Sequence, residues 1–386
     1  MGMMDWLILA DDMTGALDTG VQFVGRAITY VVTETVQNVP SDARALVVNT
    51  NSRHDEPTRA ADTVRRMILR HPARSIYKKT DSVLRGSVAA ELPALWHETG
   101  ETVCFVPFYP AQGRATRQGI QYVQGVRVDC SAFAHDPANP VTQADIARLL
   151  AQVGLSACVV APPYVLPDAL PDVLIFDGAT EEDLCAAARV IDSHCLWRAV
   201  AGCAGFAAHL PAGECTPPAS IPEISHPFLI VSGSAAAATR RQIAFAQAQG
   251  VPVFFPTRGH VMGDASASPL LEQCEAALRT YGVAVLASAT EDTALFHDLP
   301  EGRLQRQFAA WTAVLMKQSH TETLMAIGGD LLAEILRVRG VEVIRPMCEV
   351  LPGIPLCEIG GHQLLTKSGG FGGDTTLLDI VKGGIR

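Results

Sequence analysis

The sequence predicts an α/β protein of two domains, each a mostly parallel sheet flanked by helices, with a cleft between them. Three observations lead there. The 386 residues exceed what one ordinary core organises, which favours two domains of roughly 150 to 200 residues each. Short apolar runs alternate with amphipathic stretches, the pattern of strands joined by helical crossovers. The segment PAGECTPPASIPEISHP (211–227) carries Pro211, Pro217, Pro218, Pro222 and Pro227, a density that neither helix nor ladder strand survives. The expected division is a first domain over 1–215, a Pro-rich linker over 211–227 and a second domain over 228–386.

In the first half LILA (7–10), ITYVV (28–32), ALVVN (45–49), VCFVPF (103–108), CVVA (158–161) and VLIF (173–176) read as buried strands. EPTRAADTVRRMILR (56–70) reads as a helix whose Val64, Met67, Ile68 and Leu69 form a face opposite the arginines. After the linker the alternation restarts with FLIVSG (228–233), a helix around 236–249 ending at Gly250, VAVLAS (283–288), a helix near 303–318 and LMAIGG (324–329). No internal repeat is visible, although both halves share one architecture.

Composition narrows the function. Hydrophobic residues make up 48% and charged ones 18%, which excludes a disordered chain. A net charge of −10, with Lys and Arg scattered, offers no footprint for nucleic acid. Nothing approaches a membrane span, and the apolar start breaks at once into Asp11 and Asp12, so a soluble cytoplasmic setting is expected. Ten cysteines form no CxxC pair and no zinc-type spacing, so they are expected to be buried thiols.

Ligands of open parallel sheets sit beyond the carboxyl ends of the strands, so the residues after each strand matter most. LILA runs into Asp11-Asp12-Met13-Thr14-Gly15 at a helix start. One Asp can cap that helix; the other is then solvated or used. SIYKKTDSVLRGSVAAEL (75–92) brings Lys78, Lys79, Asp81, Ser82, Arg85 and Gly86 into a turn before a helix. A hydroxy acid needs this mixture: a planar Arg fork for its carboxylate and an Asp to accept from its hydroxyls. An Asp81–Arg85 helical ion pair is the structural alternative. VCFVPF leads to Tyr109-Pro110-Ala111-Gln112-Gly113-Arg114, a turn presenting Gln112 and a second arginine, so an anion pocket is expected.

In the second half three small-residue turns follow strands: Ser232-Gly233-Ser234, Gly328-Gly329-Asp330 and the run from Thr366 to Asp374. Such loops let backbone amides wrap phosphates. Gly361 through Ser368 approaches a P-loop, but Thr366 stands where the second glycine is required, and the P-loop reading fails. GxSxG and HExxH are absent, and no GxGxxG opens a helix after the first strand of either half.

Together ADDMTGALD (10–18), KKTDSVLRG (78–86), PAQGR (110–114), FAHDPANPV (133–141), VSGS (231–234), IGGD (327–330) and TKSGGFG (366–372) resemble the four-carbon acid sugar kinase family, in order and over nearly the whole chain. The resemblance implies a sugar-acid-binding first domain and a nucleotide-binding second domain. It implies transfer of the γ-phosphoryl group of ATP, with Mg²⁺, to the terminal hydroxyl of a threonate-, erythronate- or oxotetronate-like acid. Carried over by motif, Asp11, Asp12 and Asp81 are the catalytic candidates. Lys79, Ser82, Arg85, Gly86, Gln112, Gly113 and Arg114 are the substrate candidates. Ser232, Ser234, Gly328, Gly329, Asp330, Leu331, Lys367, Gly369, Gly370 and Gly372 are the nucleotide candidates, while the metal ligands and the choice of base stay open. Leu331 departs from the family pattern, which usually has Thr after the Gly-Gly-acid triplet. A homodimer is compatible with the resemblance. Two rival readings stand beside it: a ribokinase-like sugar kinase with Asp374 as base, and a two-lobed sugar-acid-binding protein without catalysis.

Overall fold

The computed structural model describes residues 3–136, 139–213, 222–290, 296 and 299–383. The chain divides into two compact units, Met1–Pro217 and Pro218–Arg386. Of the expected linker, residues 214–221 lie outside the described residues. Its start is tied to the first unit, where the Pro211 carbonyl accepts from the Trp6 indole at 2.9 Å.

The first unit holds strands β1 (Met4–Ala10), β2 (Thr29–Thr33), β3 (Ala45–Asn49), β4 (Ala73–Lys79), β5 (Val103–Val106), β6 (Arg114–Arg117), β7 (Ile120–Val123), β8 (Val126–Arg127), β9 (Ala157–Val160), β10 (Val173–Phe176) and β11 (Ala199–Gly202). Its helices are α1 (Met13–Gly20), α2 (Pro57–Arg70), α3 (Val88–Thr99), α4 (Ile146–Ala151), α5 (Glu181–Ser193) and α6 (Ala204–Ala207). Eight strands form one parallel sheet in the order β2-β3-β1-β4-β11-β5-β10-β9. Its central strands are buried on both faces, which is why they read as unbroken apolar runs. The stretch after β5 is more than a turn: β6, β7 and β8 pair antiparallel into a small second sheet.

Helix α2 begins at Pro57, whose missing N–H costs nothing in a first turn. It buries Ala60, Thr63, Val64, Met67 and Ile68 at three- and four-residue spacing. Leu69 does not share that face. One step of the helix turns it about 100° from Ile68, and it is 63% exposed. Helix α5 opens on a capping box in which Thr180 accepts from the Asp183 amide (3.1 Å) and Asp183 accepts from the Thr180 amide (3.0 Å).

The second unit contains β12 (Phe228–Ser232), β13 (Val253–Phe254), β14 (Val283–Ala287), β15 (Thr323–Ile327), β16 (Val343–Leu351), β17 (Ile354–Ile359) and β18 (His362–Lys367). Its helices are α7 (Ala237–Ala248), α8 (Arg258–Met262), α9 (Ser268–Tyr281), α10 (Arg303–Gln318), α11 (Gly329–Val338) and α12 (Thr376–Val381). The strand order is β13-β14-β12-β15-β18-β17-β16, parallel from β13 to β18 and antiparallel beyond. Phe228, Ile230, Val285, Met325, Leu365 and Leu377 belong to its central apolar cluster.

The cysteines are less uniform than expected. Cys104, Cys203, Cys274, Cys348 and Cys357 are buried, whereas Cys130 and Cys195 are exposed because they lie on connecting segments rather than in the sheets. Among the described residues no helix is long and apolar enough to cross a membrane.

Thr180→Ala removes one half of the α5 capping box and is expected to destabilise the first unit by about 1 kcal/mol, with Thr180→Ser close to wild type. Urea midpoints of the three proteins check this.

Candidate active site

Strands β3, β1 and β4 are neighbours and run parallel, so the residues just beyond them emerge at one edge. After β1 come Asp11 and Asp12, after β4 Asp81, and after β3 the loop that carries Arg53. Asp12 is the helix cap: its Oδ1 accepts from the Gly15 amide at 3.0 Å. Asp11 is the one put to another use, since Arg53 grips it through Nε to Oδ2 at 2.8 Å and a terminal nitrogen to Oδ1 at 2.9 Å. The same nitrogen reaches Asp12 Oδ1 at 2.8 Å and lies 3.6 Å from Asp81 Oδ2. Asp11 is 2% exposed and Asp81 6%, so this guanidinium neutralises carboxylates that water scarcely reaches.

Asp81 has its own support. Arg85 donates to it through a terminal nitrogen at 2.8 Å, and the amides of Val83 and Arg85 donate to Oδ1 at 3.0 and 3.2 Å. The Asp81–Arg85 pair, named from the sequence only as the structural alternative, does exist, but it lies in a loop rather than on a helix. Arg85 also approaches Asp136 at 3.4 Å and lies 5.4 Å from the centre of the Phe133 ring. Burial alone would raise both carboxyl pKa values. For Asp11 the charges of Arg53, Lys78 and Lys79 outweigh burial, and for Asp81 those of Arg85 and Arg53 do, so both sit below the ordinary aspartate value. Both are held ionised. Gly86 closes the loop at φ +80°, where a side-chain carbon would come within 3.3 Å of Asp11 Oδ2 and 3.4 Å of the Arg53 carbonyl.

The remaining candidates fall around this cluster. Lys79 is buried, and its amine donates to the Thr80 carbonyl at 2.8 Å. The Ser82 carbonyl accepts from Gln121 at 2.8 Å. Gln112 ends a 3₁₀ turn, Gly113 follows at φ +68°, and the Gln112 carbonyl accepts from Arg114. Arg114 differs from Arg53 and Arg85: among the described residues it pairs with no carboxylate, and its buried Nε has no partner. Burial lowers its pKa, while the nearby Asp81 charge acts the other way.

Arg53 escaped the sequence reading. The signal available was its position just past a strand next to β1, in NTNSRHD (49–55). Also missed was a layer beneath the cluster, where Lys78 pairs with Glu91 at 3.0 Å and Ser52 donates to the other Glu91 oxygen at 2.8 Å. Burial raises the Glu91 pKa against the pull of Lys78.

In the second unit the three small-residue turns do come together. They follow β12, β15 and β18, adjacent parallel strands. The Gly233 amide donates to the Ile327 carbonyl (3.0 Å) and the Gly328 amide to the Lys367 carbonyl (3.3 Å). Ser234 Oγ accepts from the Ala236 amide at 3.2 Å, and the Ser234 amide approaches Ser232 Oγ at 3.4 Å. Gly369 packs so closely on Ser234 that a side-chain carbon there would lie 2.1 Å from its Oγ. Gly328 caps α11 without a side-chain bond, and Gly329 and Asp330 form its first turn. Leu331 is 2% exposed and packs beneath Gly233, where a side-chain carbon would meet it at 3.2 Å. Gly370 is open on its outer side, and Gly372 has φ +84°. Asp374 forms an exposed ion pair with Arg241 at 2.9 Å. This convergence of small turns at strand ends suits a polyphosphate.

The model of a sugar-binding N-terminal domain matches residues 6–210, and that of a nucleotide-binding C-terminal domain matches residues 229–377. A D-threonate kinase of Bordetella bronchiseptica is 31% identical over 96% of this chain and 95% of its own length. A D-threonate kinase of Salmonella typhimurium is 29% identical over 98% of both chains. The chain belongs to the four-carbon acid sugar kinase family. A 3-oxo-tetronate kinase of Cupriavidus necator is 26% identical over 95% of this chain and 94% of its own length. A solved structure from Salmonella typhimurium LT2, at 18% identity and full coverage of both chains, has the same fold with a TM-score of 0.80.

Within this four-carbon acid sugar kinase, Arg53→Met would leave Asp11 and Asp12 without their shared counter-charge. The expected loss is roughly 3–5 kcal/mol at pH 7, as for other broken buried ion pairs. The sign with pH follows from the lowered carboxyl pKa values: the stability is complete above the unfolded aspartate pKa of about 3.9 and is lost as pH falls through the folded values. The variant's stability should therefore fall less steeply than wild type below pH 4, as denaturant melts at pH 7 and pH 3 will measure.

Proposed function

We propose that this protein is an ATP-dependent kinase that transfers the γ-phosphoryl group to the terminal (O4) hydroxyl of a four-carbon sugar acid, with D-threonate the first candidate. The observation that carries the reading is the paired cluster of Asp11, Asp12, Arg53, Asp81 and Arg85 at the sheet edge. It sits in a chain whose relatives are named as kinases of such acids. D-Erythronate and 3-oxotetronate are the neighbouring substrates to separate.

The cluster suggests how the work is divided. Arg53 and Arg85 are already engaged by carboxylates, so the substrate carboxylate falls to Arg114, whose Nε is unpartnered. Asp11 and Asp81, held below the ordinary pKa, are weak proton acceptors and serve to orient hydroxyls. Asp12 uses only Oδ1 for its contacts with Gly15 and Arg53. Its Oδ2 has no partner among the described residues and is our choice to receive the proton of the attacking hydroxyl. Phosphoryl transfer asks for positioning and charge neutralisation more than covalent help, so a modest base suffices.

The three turns of the second unit are the proposed ATP site. No group of three or more His, Cys, Asp or Glu among the described residues is placed to hold a metal ion. Mg²⁺ would accordingly arrive on the polyphosphate, where it neutralises phosphate charge, rather than occupy a cage of protein ligands. The exposed Asp374–Arg241 pair gives the Asp374 reading less support than the buried cluster gives its own acids.

An ATP-consumption screen over D-threonate, D-erythronate and 3-oxotetronate tests the activity, with turnover of at least one and its loss in EDTA as the expected result. No turnover with any of them would retire the proposal. Asp12→Asn should lower kcat by about 10²–10⁴ with little change in the sugar-acid KM. Arg114→Met should raise that KM and leave the ATP KM unchanged. If Asp374→Asn abolished kcat while Asp12→Asn and Asp81→Asn did not, the base would belong to the second unit.

A further inference from the structure

Lys367 ends β18 fully buried, and among the described residues no carboxylate pairs with it. Its amine donates to Thr239 Oγ1 at 3.2 Å and to the carbonyls of Ser368 and Phe371, both at 3.1 Å. Burial brings its pKa down to about 7. A buried ammonium without a counter-charge opposes folding, so its place calls for another reason.

The loop around it supplies one. Thr239 passes its own hydroxyl hydrogen to the Gly369 carbonyl at 2.7 Å, and Gln242 donates to the Phe371 carbonyl at 2.9 Å. Three side chains thus hold the carbonyls of Ser368, Gly369 and Phe371. In a trans peptide the C=O and the following N–H point in opposite directions. The N–H groups that share those three peptide planes belong to Gly369, Gly370 and Gly372, and among the described residues none of them meets a protein acceptor. The nearby acid Asp374 is engaged with Arg241 at an exposed position.

We propose that Lys367, Thr239 and Gln242 are positioning residues of the nucleotide site: they draw three loop carbonyls inward, which turns the amides of Gly369, Gly370 and Gly372 out as a preformed cradle for a polyphosphate. Lys367 acts from behind the loop without touching the ligand, and its charge is answered by the anion in front. This rests on the nucleotide reading of the second unit given above. It adds Thr239 and Gln242, and it gives Lys367 an indirect role.

The test is calorimetric titration of the intact protein with ADP and, separately, with adenosine. Thr239→Val and Lys367→Met should each weaken ADP binding by about tenfold or more. Adenosine affinity should stay within about twofold, because only the phosphate contacts depend on the cradle. Thr239→Ser, which keeps the hydroxyl, should bind ADP like wild type. Unchanged ADP affinity in Thr239→Val and Lys367→Met would overturn the proposal, and so would an equal loss for ADP and adenosine, which marks a general support of the fold. Failure of the wild type itself to bind ADP would instead overturn the nucleotide reading, a result visible before any substitution is made.

Discussion

The guanidinium of Arg53 is the constraint from which the first unit's site follows. Three aspartates arrive at one edge of a parallel sheet because their strands are neighbours, and like charges that close in a dry setting would repel or take up protons. Arg53 lies 2.8 Å from Asp11, 2.8 Å from Asp12 and 3.6 Å from Asp81, so one planar cation faces all three and helps to hold Asp11 and Asp81 anionic. Arg85 then fixes Asp81 from the other side, and the buried Lys78–Glu91 pair lies below. The cluster is an interleaved lattice of both signs.

The second unit solves a different problem by different means. It gathers main-chain groups, and its charged residue is kept behind them. Amides can wrap a polyphosphate at several points without adding a fixed carboxylate that would repel it. Leu331 packs against these turns and fills the space under Gly233 with carbon.

Most of the fold could be read from the chain because strands buried on both faces are written as continuous apolar runs; ALVVN and VLIF match β3 and β10 residue for residue. The antiparallel pieces were harder. RATRQGIQYVQGVR mixes polar residues into β6, β7 and β8, and neither it nor the hairpins of β16 to β18 supplies such a run. Leu69 misled because one apolar residue adjoined a true stripe. In the site, Asp11, Asp12, Asp81 and Arg85 were legible since each follows a strand within its own motif. Arg53 was not, because its partners lie 41 and 42 residues earlier and only the pairing of β1 with β3 brings them together. The Gly-rich loop was legible as a run of small residues after a strand. The inward direction of the Lys367 amine was not, since it depends on which way the Ser368 and Phe371 carbonyls point.

Asp11, Asp12 and Asp81 stand one or two residues past the ends of neighbouring parallel strands, and that position has a mechanical consequence. Neighbouring parallel strands are held about 4.8 Å apart by slanted hydrogen bonds along their whole length. The separation of these carboxylates is therefore set largely by the sheet, whereas Arg53, four residues past β3, reaches them from a loop. The acids at the strand ends keep their gauge for as long as the two strands stay paired.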